Sequence, residues 1–257
     1  RAAGMGARAD GEGVWISMKA IGSENIWFEF AGHKNTEYGV MMLSMPTRPH
    51  PARRGELKSV PGRNGKLFLD QNAYDQIVVS VRAIAVNGNM DAVNGWLTGS
   101  GDLRFGDDPN RAYKATVTKE FSTTNRSNRL VGREFTVSFD CYPFRYVSPA
   151  LPAQTFSASP ATIDNPGTVF SQPEIKIACT GAFTLIVNGC QIDGKAGASG
   201  GVIVDCELNE CFNLNKTELR NTVITLDEFP RLDPGANAIT WTGAITSITI
   251  TPRWRYL

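Results

Sequence analysis

Cysteine offers the clearest chemistry in this chain. Four of its five cysteines, Cys179, Cys190, Cys206 and Cys211, lie in the last third, at spacings of 11, 16 and 5 residues. Soft thiolates in that number can hold zinc or an iron–sulfur cluster, or close disulfides. No Cys-x-x-Cys pair occurs among them, and Cys179 sits where strand alternation points inward, as a small apolar residue would. Ordinary thiols are the expected state, with these four as the metal candidates and no cofactor implied. His33 falls in a turn and His50 in a proline-rich arm, with no nucleophile elbow near either. Asp107-Asp108-Pro109-Asn110 lacks the alternating acids and distal Glu of a calcium loop and reads as a turn. Asp205, Glu207 and Glu210 read as a solvated acidic edge. No paired-carboxylate, Ser/His or Cys/His set supports an enzyme.

Charge is the second resource. Residues 1–150 hold 19 Lys+Arg against 15 Asp+Glu, or +4, and the remainder holds 7 against 10, or −3. This mild dipole suits docking between proteins and is too weak for nucleic-acid binding. The cations concentrate between Arg53 and Asp75, around Val60-Pro61-Gly62-Arg63-Asn64-Gly65. Pro pre-sets a turn, and Gly and Asn accept positive φ, so a rigid double turn should hold Arg63 outward between two extended arms. Arg48, Arg53, Arg54, Lys58 and Lys66 surround it, against the single acid Glu56.

The elements that position these groups read as β. Residues 1–25 are Gly/Ala-rich without apolar period and read as an extension ordered by a neighbour. Residues 26–45 read as a hairpin, from Phe28 and Phe30 through a polar turn to Tyr38–Leu43. Residues 76–87 are the best long strand, with Ile77, Val79, Val81, Ala83 and Ala85 on one face. A short helix follows, capped by Asn89, with Met90, Val93 and Trp96 at helical spacing. Asp102–Phe105 and then Tyr113, Ala115 and Val117 are strands. Phe135, Val137, Phe139 and Cys141 give the cleanest alternation. Ser122–Asn128 reads as a hairpin tip. Prolines recur from Pro143 to Pro173 and mark a boundary, giving a first domain at 26–150 and a second at 151–257. Beyond it, separate strands are predicted at 175–179, 183–187, 202–204 and 248–250, in a sandwich pattern. No run approaches the ~20 apolar residues of a membrane helix, and no signal peptide is visible. An odd cysteine count suits synthesis in a reducing cytoplasm.

The ordered set of motifs resembles the distal tail protein (Dit) family of long-tailed, non-contractile bacteriophages. It runs from Phe28-Glu29-Phe30-Ala31-Gly32-His33 and Tyr38-Gly39-Val40 into the Val60–Gly65 turn. Trp96-Leu97, Gly101-Asp102-Leu103, Tyr113-Lys114-Ala115 and Phe139–Pro143 follow. The later part carries Val202–Cys206, Phe229–Leu232, Pro234–Asn237, Ile239-Thr240-Trp241 and Pro252–Arg255. The first 25 residues and the cysteine-rich second half depart from the family pattern.

The resemblance implies a mainly-β fold: an N-terminal β-sandwich-like ring domain with one short helix, then a C-terminal galectin-like β-sandwich. It implies a structural virion protein at the phage tail tip, assembled in the host cytoplasm as a homo-oligomer, usually a hexamer. Its implied partners are the tail tube protein, the tail hub or fibre protein and receptor-binding proteins, with no membrane and DNA only in transit through the channel. Arg53, Arg54, Lys58, Arg63 and Lys66 are then the candidate subunit interface, because ring contacts are heterologous and Arg pairs carboxylates in two-point fashion. The alternative is a carbohydrate-binding sandwich acting in host adsorption, with sugar stacking on Trp241 or Trp254.

Overall fold

The computed structural model describes residues 26–86, 89–126 and 132–257. The predicted extension over 1–25 lies outside them, as does the end of the Ser122–Asn128 tip. The chain is mainly β, as expected, and divides into two compact units between Pro143 and Phe144.

In the first unit a curled antiparallel sheet wraps one core. Its strands are β1 (Phe28–Phe30), β2 (His33–Lys34), β3 (Val40–Met42), β6 (Ile77–Val86), β7 (Gly99–Phe105), β8 (Asp108–Val117) and β10 (Gly132–Val147). They are ordered β2-β1-β7-β8-β10-β6-β3, with β9 (Thr123–Arg126) on β10. The alternation read from the sequence points where it should. Ile77, Val79, Val81, Ala83 and Ala85 of β6 are all buried, and the first four stand in register with the buried Cys141, Phe139, Val137 and Phe135 of β10. Helix α1 (Met90–Trp96) starts where Asn89 accepts a hydrogen bond from the Asp91 N–H at 2.9 Å. Its Met90, Val93 and Trp96 enter the core, and the Trp96 indole donates to the Phe30 carbonyl at 2.9 Å.

The predicted 26–45 hairpin is corrected. β1 and β3 do not pair: β1 lies against β2 and β7, and β3 against β6. Asn35 is the reason. Its buried side chain accepts from the Phe28 N–H at 2.9 Å and donates to the Val40 carbonyl at 2.7 Å. It stitches the two strands through a 3-10 turn at Asn35–Tyr38 in place of a ladder.

The second unit is built on an eight-stranded antiparallel sheet. Its path is β11 (Gln154–Phe156), β18 (Gly235–Thr251), β13 (Glu174–Val187), β14 (Cys190–Gly194) and β17 (Ile224–Leu226). β12 (Ala161–Asn165) also pairs β18, β15 (Val202–Asp205) pairs β13, and β16 (Glu210–Phe212) pairs β15. The two strands expected at 175–179 and 183–187 are one strand, β13, with a bulge between Ala178 and Phe183. The bulge lets a long strand bend around the core while both ends stay paired to β18. β19 (Arg255–Tyr256) pairs residues 145 and 146 of β10, the portion inside this unit.

Candidate interaction surface

The Arg53–Asp75 stretch forms a structure apart from the core. Among the described residues β4 (Arg53–Ser59) and β5 (Lys66–Tyr74) pair only with each other, as a two-stranded ribbon. Every residue of β4 is exposed, as is β5 up to its last two residues. Isolated two-stranded hairpins are marginal in water, so this arm depends on its turn and its cross-strand pairs.

The turn forms as the sequence predicts. The Arg63 N–H donates to the Val60 carbonyl at 3.1 Å, with Gly62 at φ 78°, the pattern of a type II turn with Pro at its second position. Gly65, at φ 79°, completes the reversal into β5. Arg63 is exposed at the tip. The Gly55 position is equally specific: a Cβ there would lie 2.4 Å from Phe68 Cζ, because the Phe68 ring covers the glycine across the ribbon.

The five predicted interface cations lie on this arm, but they are not equivalent. Arg53 forms an ion pair with Asp70, Arg54 Nε donates to Asp75 Oδ1 at 2.9 Å, and Lys58 stands 3.7 Å from Glu56. Glu56 is therefore not the only acid that answers the cluster, because antiparallel pairing brings Asp70 back beside Arg53. Arg48 leaves the cluster altogether and pairs with Asp107 while its guanidinium lies over Phe105. Of the five, Arg63 and Lys66 have no carboxylate within ion-pair distance among the described residues. Sequence reasoning missed the apolar half of this surface. Leu57, Val60, Leu67, Phe68 and Leu69 are all exposed, and Leu67-Phe68-Leu69 is a sequence signal for a strand covered on both faces.

The other candidates resolve into packing. Cys179, Cys206 and Cys211 are buried, and the Cys179 thiol donates to the Ala198 carbonyl at 3.1 Å. Burial raises the Cys211 thiol to about 11 and Cys141 to about 12, and pushes Cys206 up as well. Cys190 is half-exposed and donates to Glu228 at 3.3 Å. Among the described residues no group of three or more His, Cys, Asp or Glu side chains could hold a metal ion. His33 forms an exposed contact with Glu37 at 3.0 Å, and His50 is exposed. Trp254 is only 3% exposed and belongs to the core, so it cannot stack on a sugar. Trp241 is half-buried against the same core.

Asp205 is corrected most sharply. It is 1% exposed and takes both guanidinium nitrogens of Arg253, at 2.7 and 2.9 Å. Arg253 also reaches Glu174 at 3.0 Å and Glu207 at 3.3 Å, and Lys216 closes the cluster onto Glu174 at 2.7 Å. Burial alone would raise the Asp205 carboxyl. The hydrogen bonds and charge of Arg253, with the N–H groups of Leu208 and Glu207, outweigh it and hold the pKa below the usual carboxylate value.

Among the described residues no helix is long and apolar enough to cross a membrane. No protein-family model and no curated protein sequence matches the chain. Among solved structures, the crystal structure of SPP1 Dit (gp 19.1) matches it with a TM-score of 0.67. That likeness covers 90% of this chain and 99% of the other, at 15% sequence identity. SPP1 Dit is described as a paradigm of the hub adsorption apparatus in phages that infect Gram-positive bacteria. The β2-β1-β7-β8-β10-β6-β3 sheet, helix α1 and the eight-stranded sheet that follows are therefore arranged on the fold of the SPP1 Dit protein.

Proposed function

We propose that the protein is a structural component of a phage tail tip. Six copies form a ring that joins the tail tube to the hub or fibre protein, and the second unit is available to receptor-binding proteins. The observation that carries this reading is the β4–β5 arm, a basic, apolar ribbon that pairs with no other strand among the described residues. The fold likeness to a hub adsorption protein supports it. A heterologous contact, in which an arm on one copy meets a different patch on the next, closes rings. The five cations Arg53, Arg54, Lys58, Arg63 and Lys66 lie at that contact. Arg63 and Lys66 bring charge that the next copy neutralises, and the other three are held in place by carboxylates of their own arm. The role is architectural, and the protein acts without catalysis.

The test is the mass and symmetry of the purified protein, by native mass spectrometry and electron microscopy. A six-fold ring is the expected result, and a monomer at every concentration overturns the reading. Arg63→Ala should weaken the ring roughly tenfold or more while leaving the thermal unfolding midpoint unchanged.

A further inference from the structure

We propose that Asn64 is a site of spontaneous modification, at which the side-chain amide is lost by cyclisation onto Gly65 and an acid is left at the tip of the arm. Three Asn-Gly pairs fall among the described residues, Asn64-Gly65, Asn94-Gly95 and Asn188-Gly189; a fourth, Asn87-Gly88, lies outside them. Asn-Gly is the reactive dipeptide because glycine has no Cβ to shield its backbone nitrogen or to restrict its approach. That nitrogen gives up its proton to base and attacks the asparagine Cγ. The Cγ–Nδ2 bond breaks, ammonia leaves, and a succinimide closes. Water then adds to either ring carbonyl and opens the ring to aspartate or to isoaspartate, whose backbone is longer by a methylene. Nothing is oxidised or reduced, and water is the only co-reactant.

The surroundings separate the three pairs. The Asn188 amide is held on both sides: its Oδ1 accepts from the Ala238 N–H at 3.1 Å, and its Nδ2 donates to the Arg231 carbonyl at 3.2 Å and to Asn237. The pair also closes the β13–β14 hairpin, directly inside the Val187–Cys190 register. Asn94-Gly95 lies within α1, between the Val93-to-Asn89 and Leu97-to-Val93 hydrogen bonds at 3.1 and 2.9 Å. Both must open locally before the nitrogen can turn onto the amide. Asn64 has no such restraint. It is exposed, and neither its amide nor the Gly65 N–H has a hydrogen-bond partner among the described residues. A Cβ at Gly65 would meet nothing within 4 Å, so the space for ring closure is open. The product changes the arm's charge. Arg53, Arg54, Lys58, Arg63 and Lys66 stand against Glu56 and Asp70, or +3, and the new carboxylate lowers this to +2. It arises between Arg63 and Lys66, so it answers within the chain the charge that the ring reading assigns to the next copy. The chemistry is independent of that reading, and its effect on assembly rests on it.

The dilute full chain, incubated in mildly alkaline buffer and mapped by mass spectrometry, should gain acid at position 64 roughly tenfold faster or more than at 94 or 188. Electron-transfer fragmentation resolves aspartate from isoaspartate there. In urea, where the hairpin and the helix are gone, the three rates should converge. Equal rates in the folded chain, or a lead at position 64 that persists undiminished in urea, overturns the proposal. Asn64→Asp supplies the charge at once and should lower the assembled fraction several-fold with circular dichroism melting unchanged, whereas Asn64→Gln, which cyclises poorly, should assemble as the wild type does. If the wild type and Asn64→Asp assemble equally well, the effect on the ring is overturned. If the wild type never assembles, the ring reading falls, and the masses still decide the chemistry at Asn64.

Discussion

Arg253 has a backbone φ of 51°, in the left-handed region that a long side chain adopts only when its surroundings require it. The two-point bond to Asp205 supplies the requirement. Replacing Arg253 should therefore destabilise the second unit twice over, by taking the two-point partner from the buried Asp205 carboxylate and by removing the contact that offsets a strained backbone. Arg253→Ala should cost about 2–4 kcal/mol in chemical denaturation, at or below the usual loss for a fully buried pair because Arg253 is partly exposed. The acid response has a definite sign. A carboxyl depressed in the folded state stabilises at pH above its unfolded value, near ~3.9. That contribution is lost as pH falls through the lower, folded value. Thermal melts should show the wild type losing stability below about pH 4, and Asp205→Asn should start less stable and flatten that slope. Little of this was visible in the sequence. Asp205 stands among other acids, and no local pattern brings a residue 48 positions away onto it. The cysteines were more legible, because inward alternation already placed Cys179 in the core. Timed alkylation with mass spectrometry should label Cys190 first and reach the buried Cys141, Cys206 and Cys211 only after unfolding.

Strands that alternate announce their inward faces, which is why β6 and β10 could be read in advance to the residue. Pairing partners could not be read the same way, because two runs close in sequence are compatible with a hairpin whether or not they form one. At β1 and β3 a single side chain decides the matter. Asn35→Ala leaves the Phe28 N–H and the Val40 carbonyl without their partner, and the expected loss is about 1–3 kcal/mol in urea unfolding. Asn35→Asp keeps the acceptor and loses the donor, so it should fall between the wild type and alanine if the two bonds contribute separately. The bulge in β13 was hidden for another reason. Its consequence is geometric, and the intervening Thr180-Gly181-Ala182 reads locally as a break between strands. The arm's turn was fully legible, because Pro61, Gly62 and Gly65 each restrict the backbone by themselves.

For the whole molecule, each of the two compact units holds a hydrophobic core of its own. The arm belongs to neither. Arg53 and Tyr74 are cross-strand partners at its base, so the ribbon can be removed there without stretching the chain. Replacing residues 54–73 with a short Gly-Ser link should leave both cores folded. Before assembly, the exposed Leu67-Phe68-Leu69 run is a hazard of the kind that templates aggregation, flanked by Lys66 and Asp70 as charged gatekeepers. Under the proposed ring, a folded single copy is an unfinished object whose solubility depends on finding its neighbours promptly. The armless variant should be the more soluble one: it stays in the supernatant at concentrations and incubation times at which the intact chain, held below its assembly threshold and then concentrated abruptly, precipitates.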